Sequence, residues 1–280
     1  MQVLNTRLAL ENALISERNS QKKIGFVPTM GALHEGHLSL VAKAREKADI
    51  VVVSIFVNPT QFNNQADLEN YPRVPDADTK LLQAAHVDYL FLPDVDTIYP
   101  DGLKSGTYDF GTLETVMEGA FRPGHFGGVA EVVKRFFELI RPDLAFFGEK
   151  DFQQLLVIKA LLAQLDLRIV IIAVPTERSE KGLALSSRNK RLSPQQKEDA
   201  LIIVNSMRWV ADEYTKLTIS ELREGVKQRF ADSNLKLEYV QIANANNLSP
   251  VIDGATETPA RIFIAAFVGA VRLIDNLPLN

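Results

Sequence analysis

Short apolar runs rich in β-branched residues alternate with helix-patterned stretches from the N-terminus to Pro175. "KIGFVP", "DIVVVSIFV", "VDYLFLP", "LAFFG" and "LRIVIIAVP" read as strands. Between them, "GHLSLVAKAREKA", "DADTKLLQAAHV", "VAEVVKRFFELIRP" and "DFQQLLVIKALLAQLD" space their apolar residues as helices do, the third stopping at Pro142. "MQVLNTRLALENALISERNS" adds a short strand and an amphipathic helix at the start. Such alternation predicts a Rossmann-like α/β fold, a parallel sheet with helices on both faces. Ligands of these sheets lie beyond the carboxyl ends of the strands. After Pro175 the pattern changes. "ERSEKGLALSSRNKRLSP" is a polar loop, and Ser193 and Pro194 signal a long helix, "PQQKEDALIIVNSMRWVADEY". The helix "TISELREGVKQRF" and strands around "KLEYVQIANA" and "ARIFIAAFV" follow. Helices followed by strands predict a smaller C-terminal α+β domain, with residues 1–175 and 176–280 as the two units.

The chain has 280 residues, 46% of them hydrophobic, enough for a substantial core. A net charge of −4 argues against a broad nucleic-acid-binding surface. The absence of cysteine excludes disulfides, thiolate metal sites and a cysteine nucleophile, and agrees with a reducing compartment. The N-terminus lacks the basic start and apolar block of a signal peptide. The longest apolar runs, "IVVVSIFV" and "IFIAAFVGAV", are too short to span a bilayer. A cytoplasmic location, without membrane or nucleic-acid partners, is the expectation.

The chemistry concentrates where predicted strands end. In "FVPTMGALHEGHLSLV" the strand stops at Pro28, and Gly31 and Gly36 permit a tight turn close to a ligand. A helix then begins near Gly36, flanked by His34 and His37, with its amides and positive dipole end free. Two imidazoles there suit a phosphate, and histidine can also supply a proton to a leaving oxygen. A lone histidine would more readily be a capping or surface residue. No third ligand near the pair suggests zinc, and the stretch is not a dinucleotide-binding Gly-x-Gly-x-x-Gly. "FVNPTQF" offers the uncharged amides of Asn58 and Gln61, which suit a hydroxyl-bearing substrate or a simple polar turn. "FFGEKDFQQL" places Lys150 to meet phosphate and Asp151 to meet a ligand or cap the helix. Gln153 and Gln154 are helix neighbours, so only one can reach a given ligand. "LALSSRN" brings Ser186, Ser187 and Arg188 to the interdomain loop. "RPGHFGGVAEVV" presents Arg122 and His125, as ligand contacts or as a pocket wall. Asp76 and Asp78 read as a surface helix start with Asp76 as its cap, and Trp209, Phe136 and Phe137 as core.

"PTMGALHEGH" resembles the signature of the His-x-Gly-His nucleotidyltransferase superfamily, and the longer string resembles its pantothenate synthetase (pantoate–β-alanine ligase) family. "VVSIFVNPTQF", "YPR", "RPGHFGGV", "PDLAFFGEKDFQQL", "GLALSSRN" and "RLIDN" extend the resemblance in order along nearly the whole chain. It implies ATP-dependent joining of pantoate to β-alanine through a pantoyl adenylate, with release of pyrophosphate and AMP. His37, His34, Lys150 and Arg188 would carry the chemistry. Met30, Gly31, His34, Gly36, His37, Gly148, Glu149, Lys150, Asp151, Glu177, Leu185, Ser186, Ser187 and Arg188 would face ATP. Gln61 and Gln154 would bind pantoate, and Gln61 and Asn58 β-alanine. Magnesium would arrive with ATP, the second domain would act as a lid, and the protein would be a homodimer. Glu177, Ser179, Leu185, Glu131 and Val271 depart from the family pattern, but none removes a charged or amide group that this chemistry needs.

Overall fold

In a computed structural model, which describes residues 1–103, 106–253 and 257–279, the first six strands form one parallel sheet. They are β1 (Gln2–Leu4), β2 (Ile24–Thr29), β3 (Ile50–Ile55), β4 (Tyr89–Phe91), β5 (Leu144–Gly148) and β6 (Val170–Val174). The spatial order is β1-β4-β3-β2-β5-β6. The chain moves outward from β2 to β3 and β4, then returns to the other side of β2 as β5. The order therefore reverses between β2 and β5, where a crevice opens at the carboxyl ends.

Helices α1 (Arg7–Asn19), α2 (Glu35–Lys47), α3 (Gln65–Glu69), α4 (Pro75–Ala84), α5 (Val95–Ile98), α6 (Met117–Phe121), α7 (His125–Ile140) and α8 (Phe152–Leu165) connect or flank these strands. The pleat explains the two layers. Ile24, Phe26, Ile50 and Val52 share a buried cluster with Leu10 and Leu14 of α1, Phe136 and Phe137 of α7, and Leu155 of α8. Val27, Val51 and Val53 point the other way, into a cluster with Leu40 and Val41 of α2 and Leu82 of α4. Each large side chain buried this way contributes about 1.5–3 kcal/mol.

The strand expected to stop at Pro28 continues to Thr29. It pairs with β3 along its whole length but with β5 only at Gly25 and Phe26. Pro28, which has no N–H to give, falls where β2 and β5 have parted. Helix α7 begins at His125, and Gly128 within it meets the turn after β3 so closely that a Cβ there would overlap the Thr60 carbonyl oxygen.

The rest of the chain forms α9 (Pro194–Asp199), α10 (Leu201–Glu213), α11 (Ile219–Ala231), β7 (Lys236–Asn244), β8 (Ala260–Val268) and β9 (Val271–Pro278). Ser193 caps α9 in a reciprocal box with Gln196, but the long helix expected here is divided at Ala200. Strand β9 was not expected and completes an antiparallel sheet in the order β7-β8-β9. Apolar residues of α10 and α11 bury one face of that sheet. The other meets the first unit through Phe263 against Phe152, with ring centroids 6.0 Å apart, and Tyr239 against Phe121 at 5.3 Å. No helix of the described residues is long and apolar enough to cross a membrane.

A buried ion pair crosses the same interface. Arg272 of β9 donates to both carboxylate oxygens of Glu118 of α6, at 2.8 and 2.7 Å. The Tyr239 hydroxyl donates to the same carboxylate at 2.8 Å. Burial opposes ionisation of Glu118, but the bonds and charge of Arg272, with help from Tyr239 and Arg122, hold its pKa down to about 2. A carboxyl lowered from its ordinary 4.5 stabilises the fold above that pH, and the contribution is lost as pH falls toward 2. The urea midpoint is expected to decline across this window, and more shallowly in Glu118→Gln, which cannot ionise. Equal slopes would contradict the pairing.

Candidate active site

The turn after β2 carries two successive residues in the left-handed region, Gly31 at φ 79° and Ala32 at φ 52°. An alanine there is strained by about 1–2 kcal/mol. The carboxylate of Asp78, only 1% exposed, offsets this by accepting from the Ala32 and Leu33 amides, each at 2.8 Å. Asp78 is thus a buried clamp, not half of a surface acidic pair. Asp76 does not cap α4 either; it lies in the first turn after Pro75, with Val74 at the cap position.

The clamped turn delivers His34 to the cap position of α2, where its Nδ1 accepts from the Gly36 amide at 3.1 Å. Nδ1 therefore holds a lone pair, and the proton of the neutral ring sits on Nε2. His37 lies alongside, with ring centroids 4.1 Å apart. Its buried Nδ1 has no hydrogen-bond partner among the described residues. Burial first, then the charges of Lys150 and Lys190, push the His34 pKa down to about 4. Burial, His34 and the same lysines push His37 down to about 3. Both rings are neutral near pH 7, so they act there as hydrogen-bonding groups.

Across the crevice, the turn after β5 presents Gly148, Lys150 and Asp151, and α8 presents Gln154. No side chain caps α8, which continues directly from a 3₁₀ turn over Glu149–Asp151. Gln153 points away, donating to the Leu113 and Val116 carbonyls and accepting from the Glu118 amide. Glu149, expected on the nucleotide side, is turned out of the crevice toward the second unit. It accepts from Arg261 at 3.0 Å, while its carbonyl accepts from Asn276.

The turn after β3 brings Gln61, whose Nε2 lies 3.1 Å from the Met30 sulfur. Asn58, expected to touch a substrate, is held by several hydrogen bonds at the cavity wall. Its Oδ1 accepts from the Tyr99 hydroxyl at 2.7 Å and from Thr60, and its Nδ2 donates to the Gly128 carbonyl and to Gln61. Asn58 is 1% exposed, braces Gln61 through its Nδ2, and stands in the wall of the same cavity.

The interdomain loop closes the crevice. Ser187 donates to the Ala32 carbonyl at 3.2 Å, and Lys190 lies 3.4 Å from the carbonyls of Ala32 and Leu33. Arg188 donates to Asp67 of α3 at 2.8 Å. Ser186 accepts from the Arg188 amide, and the Leu185 amide donates to the Glu177 carbonyl. Met30, His34, Gly36, His37, Gln61, Gln154, Glu177, Leu185, Ser186, Ser187 and Arg188 thus line one cavity of about 230 Å³ with Gly148, Lys150 and Asp151. Gly31 stands behind the wall, against Asp78. A larger interdomain cleft of about 560 Å³ shares Arg122, Lys150, Asp151, Ser186 and Arg188 with it.

Sequence reasoning missed Asp78 as a clamp, Asp67 as the partner of Arg188, and Lys190. The first two depend on contacts between distant segments. Lys190 was open to notice, since it follows Arg188 in the same loop. The departure at Glu131 falls on α7 outside the cavity lining. That carboxylate accepts from the Gly106 amide, the Tyr108 hydroxyl and Arg135.

A parallel sheet whose switch point holds a histidine-flanked helix start opposite a lysine is built to hold a phosphorylated ligand. Comparison with known proteins narrows this class. A sequence model of the pantoate-beta-alanine ligase family matches residues 2–278, and the chain belongs to that family. It is 45% identical to the pantothenate synthetase of Christiangramia forsetii, covering 100% of both chains. It is 44% identical to that of Bacteroides thetaiotaomicron, covering 99% of this chain and 98% of the relative. The crystal structure of pantothenate synthetase from Thermus thermophilus superposes with a TM-score of 0.92 at 40% identity, over 100% of this chain and 99% of that one. The pantoate-beta-alanine ligase of Francisella tularensis, complexed with beta-gamma ATP and beta-alanine, gives 0.82 at 39% identity, over 100% and 98%.

In the free protein, His34 and His37 are expected to stay neutral from pH 8 to pH 5, read from ring nitrogen NMR shifts. A titration midpoint near 6.5 for either ring would contradict their placement.

Proposed function

We propose that this chain joins pantoate to β-alanine at the expense of ATP, forming pantothenate, AMP and pyrophosphate. Its family membership supports the ligation, and the Francisella relative's complex supports the use of ATP and β-alanine. The single observation that carries the residue assignments is that His34, His37, Lys150, Gln61, Gln154 and the 185–188 segment line one cavity at the switch point.

In the proposed reaction a pantoate carboxylate oxygen attacks the α-phosphorus of ATP. The bond to the bridging oxygen breaks and pyrophosphate departs, leaving pantoyl adenylate. The amine of β-alanine then attacks the acyl carbon, loses a proton and displaces AMP. No protein nucleophile is needed, so the site's contribution is orientation and charge stabilisation. Gln61 and Gln154 orient the hydroxy acid through uncharged amides, and Gln61 also meets β-alanine. Lys150 and Arg188 oppose phosphate charge, and Gly148, Asp151, Glu177, Leu185, Ser186 and Ser187 surround the nucleotide. His34 donates through Nε2–H, and neutral His37 hydrogen-bonds the departing group.

Among the described residues no three acidic or histidine side chains group as a metal site. The donor set fits magnesium that enters as part of the nucleotide and is held by phosphate oxygens. The mixed anhydride must be kept from water. Residues 176–280 act as the lid in this proposal, closing over the 1–175 unit that binds ATP and pantoate. The proposal also includes a homodimeric state and a cytoplasmic location.

Mass spectrometry is expected to detect pantothenate from ATP, magnesium, pantoate and β-alanine. AMP release that does not require β-alanine would contradict the ligase assignment. His37→Ala is expected to slow adenylate formation about a hundredfold, the effect of losing one hydrogen-bond donor to a developing charge. Near-normal single-turnover rates would reject that role.

A further inference from the structure

Two polar residues lining the cavity, half-buried Arg122 and buried His125, have no part in the reaction as written above. His125 opens α7 and is 6% exposed. Its Nε2 lies 3.0 Å from Nη1 of Arg122. A guanidinium offers only donors, so Nε2 must hold the lone pair and accept. The ring proton therefore sits on Nδ1, which donates to the main-chain carbonyl of Gln61 at 2.8 Å. Burial, then the charge of Arg122, depresses the His125 pKa to about 4, so the neutral tautomer persists near pH 7. Nη2 of Arg122 also reaches the Gln61 carbonyl, at 3.4 Å.

The carbonyl that receives these bonds belongs to the last residue of a single 3₁₀ turn, Pro59–Gln61. Fixing that peptide fixes where the Gln61 side chain leaves the chain. Asn58 holds the Gln61 amide oxygen, and Met30 meets its nitrogen. Gly128 lets α7 approach closely enough for the bonds to form. The chain of contacts continues outward, because Glu118 lies 3.6 Å from Arg122 and is gripped by Arg272.

We propose that Arg122 and His125 are a positioning pair that aims the Gln61 amide at the hydroxy-acid substrate by holding the Gln61 carbonyl. This rests on the assignment of Gln61 to pantoate made above. The pair acts through Gln61 and does not itself touch the reacting atoms.

The test compares His125→Asn with His125→Phe. Asparagine can place an N–H where Nδ1 stands, whereas phenylalanine keeps the ring's bulk and loses the donor. His125→Phe is expected to raise KM for pantoate about tenfold, an effect the size of one hydrogen bond, with KM for ATP within about twofold. His125→Asn is expected to remain within about threefold of the unaltered enzyme. A role confined to packing would reverse this order, and that reversal or an unchanged KM in His125→Phe would overturn the proposal. Gln61→Ala separates the two levels. If it leaves KM for pantoate unchanged, the substrate assignment itself fails. If it raises KM while His125→Phe does not, only the positioning role fails. The tautomer is tested without any variant: ring NMR is expected to find the His125 proton on Nδ1, and finding it on Nε2 would overturn the proposal.

Discussion

One carboxylate holds the site open for use. Asp78 reaches from α4 to the turn after β2 and accepts from two consecutive amides. The left-handed conformation of Ala32 costs about 1–2 kcal/mol, while each hydrogen bond to a charged group returns about 1.5–3 kcal/mol. The clamp therefore wins without help from a ligand. It sets the direction in which the chain leaves the sheet, and so the start of α2 and the positions of His34 and His37. It also turns the Ala32 carbonyl toward Ser187 and Lys190, so the loop from the second unit docks on the same turn.

Charge is divided unevenly around the cavity. The histidines are held neutral by burial and by nearby lysines. Positive charge is left to Lys150, Lys190, Arg122 and Arg188, the last already paired with Asp67. Neutral rings can donate to a phosphate oxygen without the cost of burying another charge beside the lysines. Gln61 and Gln154 add uncharged amides, and Met30 a sulfur, to the same cavity. Cations and uncharged amides in one cavity suit a nucleotide held against a small hydroxy acid.

The parallel sheet was legible because a strand buried on both faces is apolar at nearly every position, as in "IVVV" of β3, and its flanking helices are amphipathic. The site's main strand-end turns were legible for a related reason. Glycine, histidine and lysine directly after an apolar run mark a carboxyl edge. Contacts between segments distant in sequence were not. Nothing in "PDADTK" says that Asp78 turns inward, and nothing in "NPTQF" says that Asn58 bonds to Tyr99, Thr60 and Gly128. Glu149 faces Arg261 because the second sheet docks there, and a local pattern cannot encode that docking. Strand β9 escaped notice because its alternation, "VRLIDNLP", carries Arg272 and Asn276, which bond across the unit boundary, and Asp275, which pairs with Arg178.

The central claim is that strands β2, β3 and β5 and the interdomain loop converge to activate an acid with ATP before any amine is needed. Exchange of labelled pyrophosphate into ATP, measured with pantoate present and β-alanine absent, tests this most directly. Pantoate-dependent exchange is the expected result, because adenylate formation is then a separate, reversible step. Exchange that ignores pantoate, or that appears only when β-alanine is added, would contradict the account.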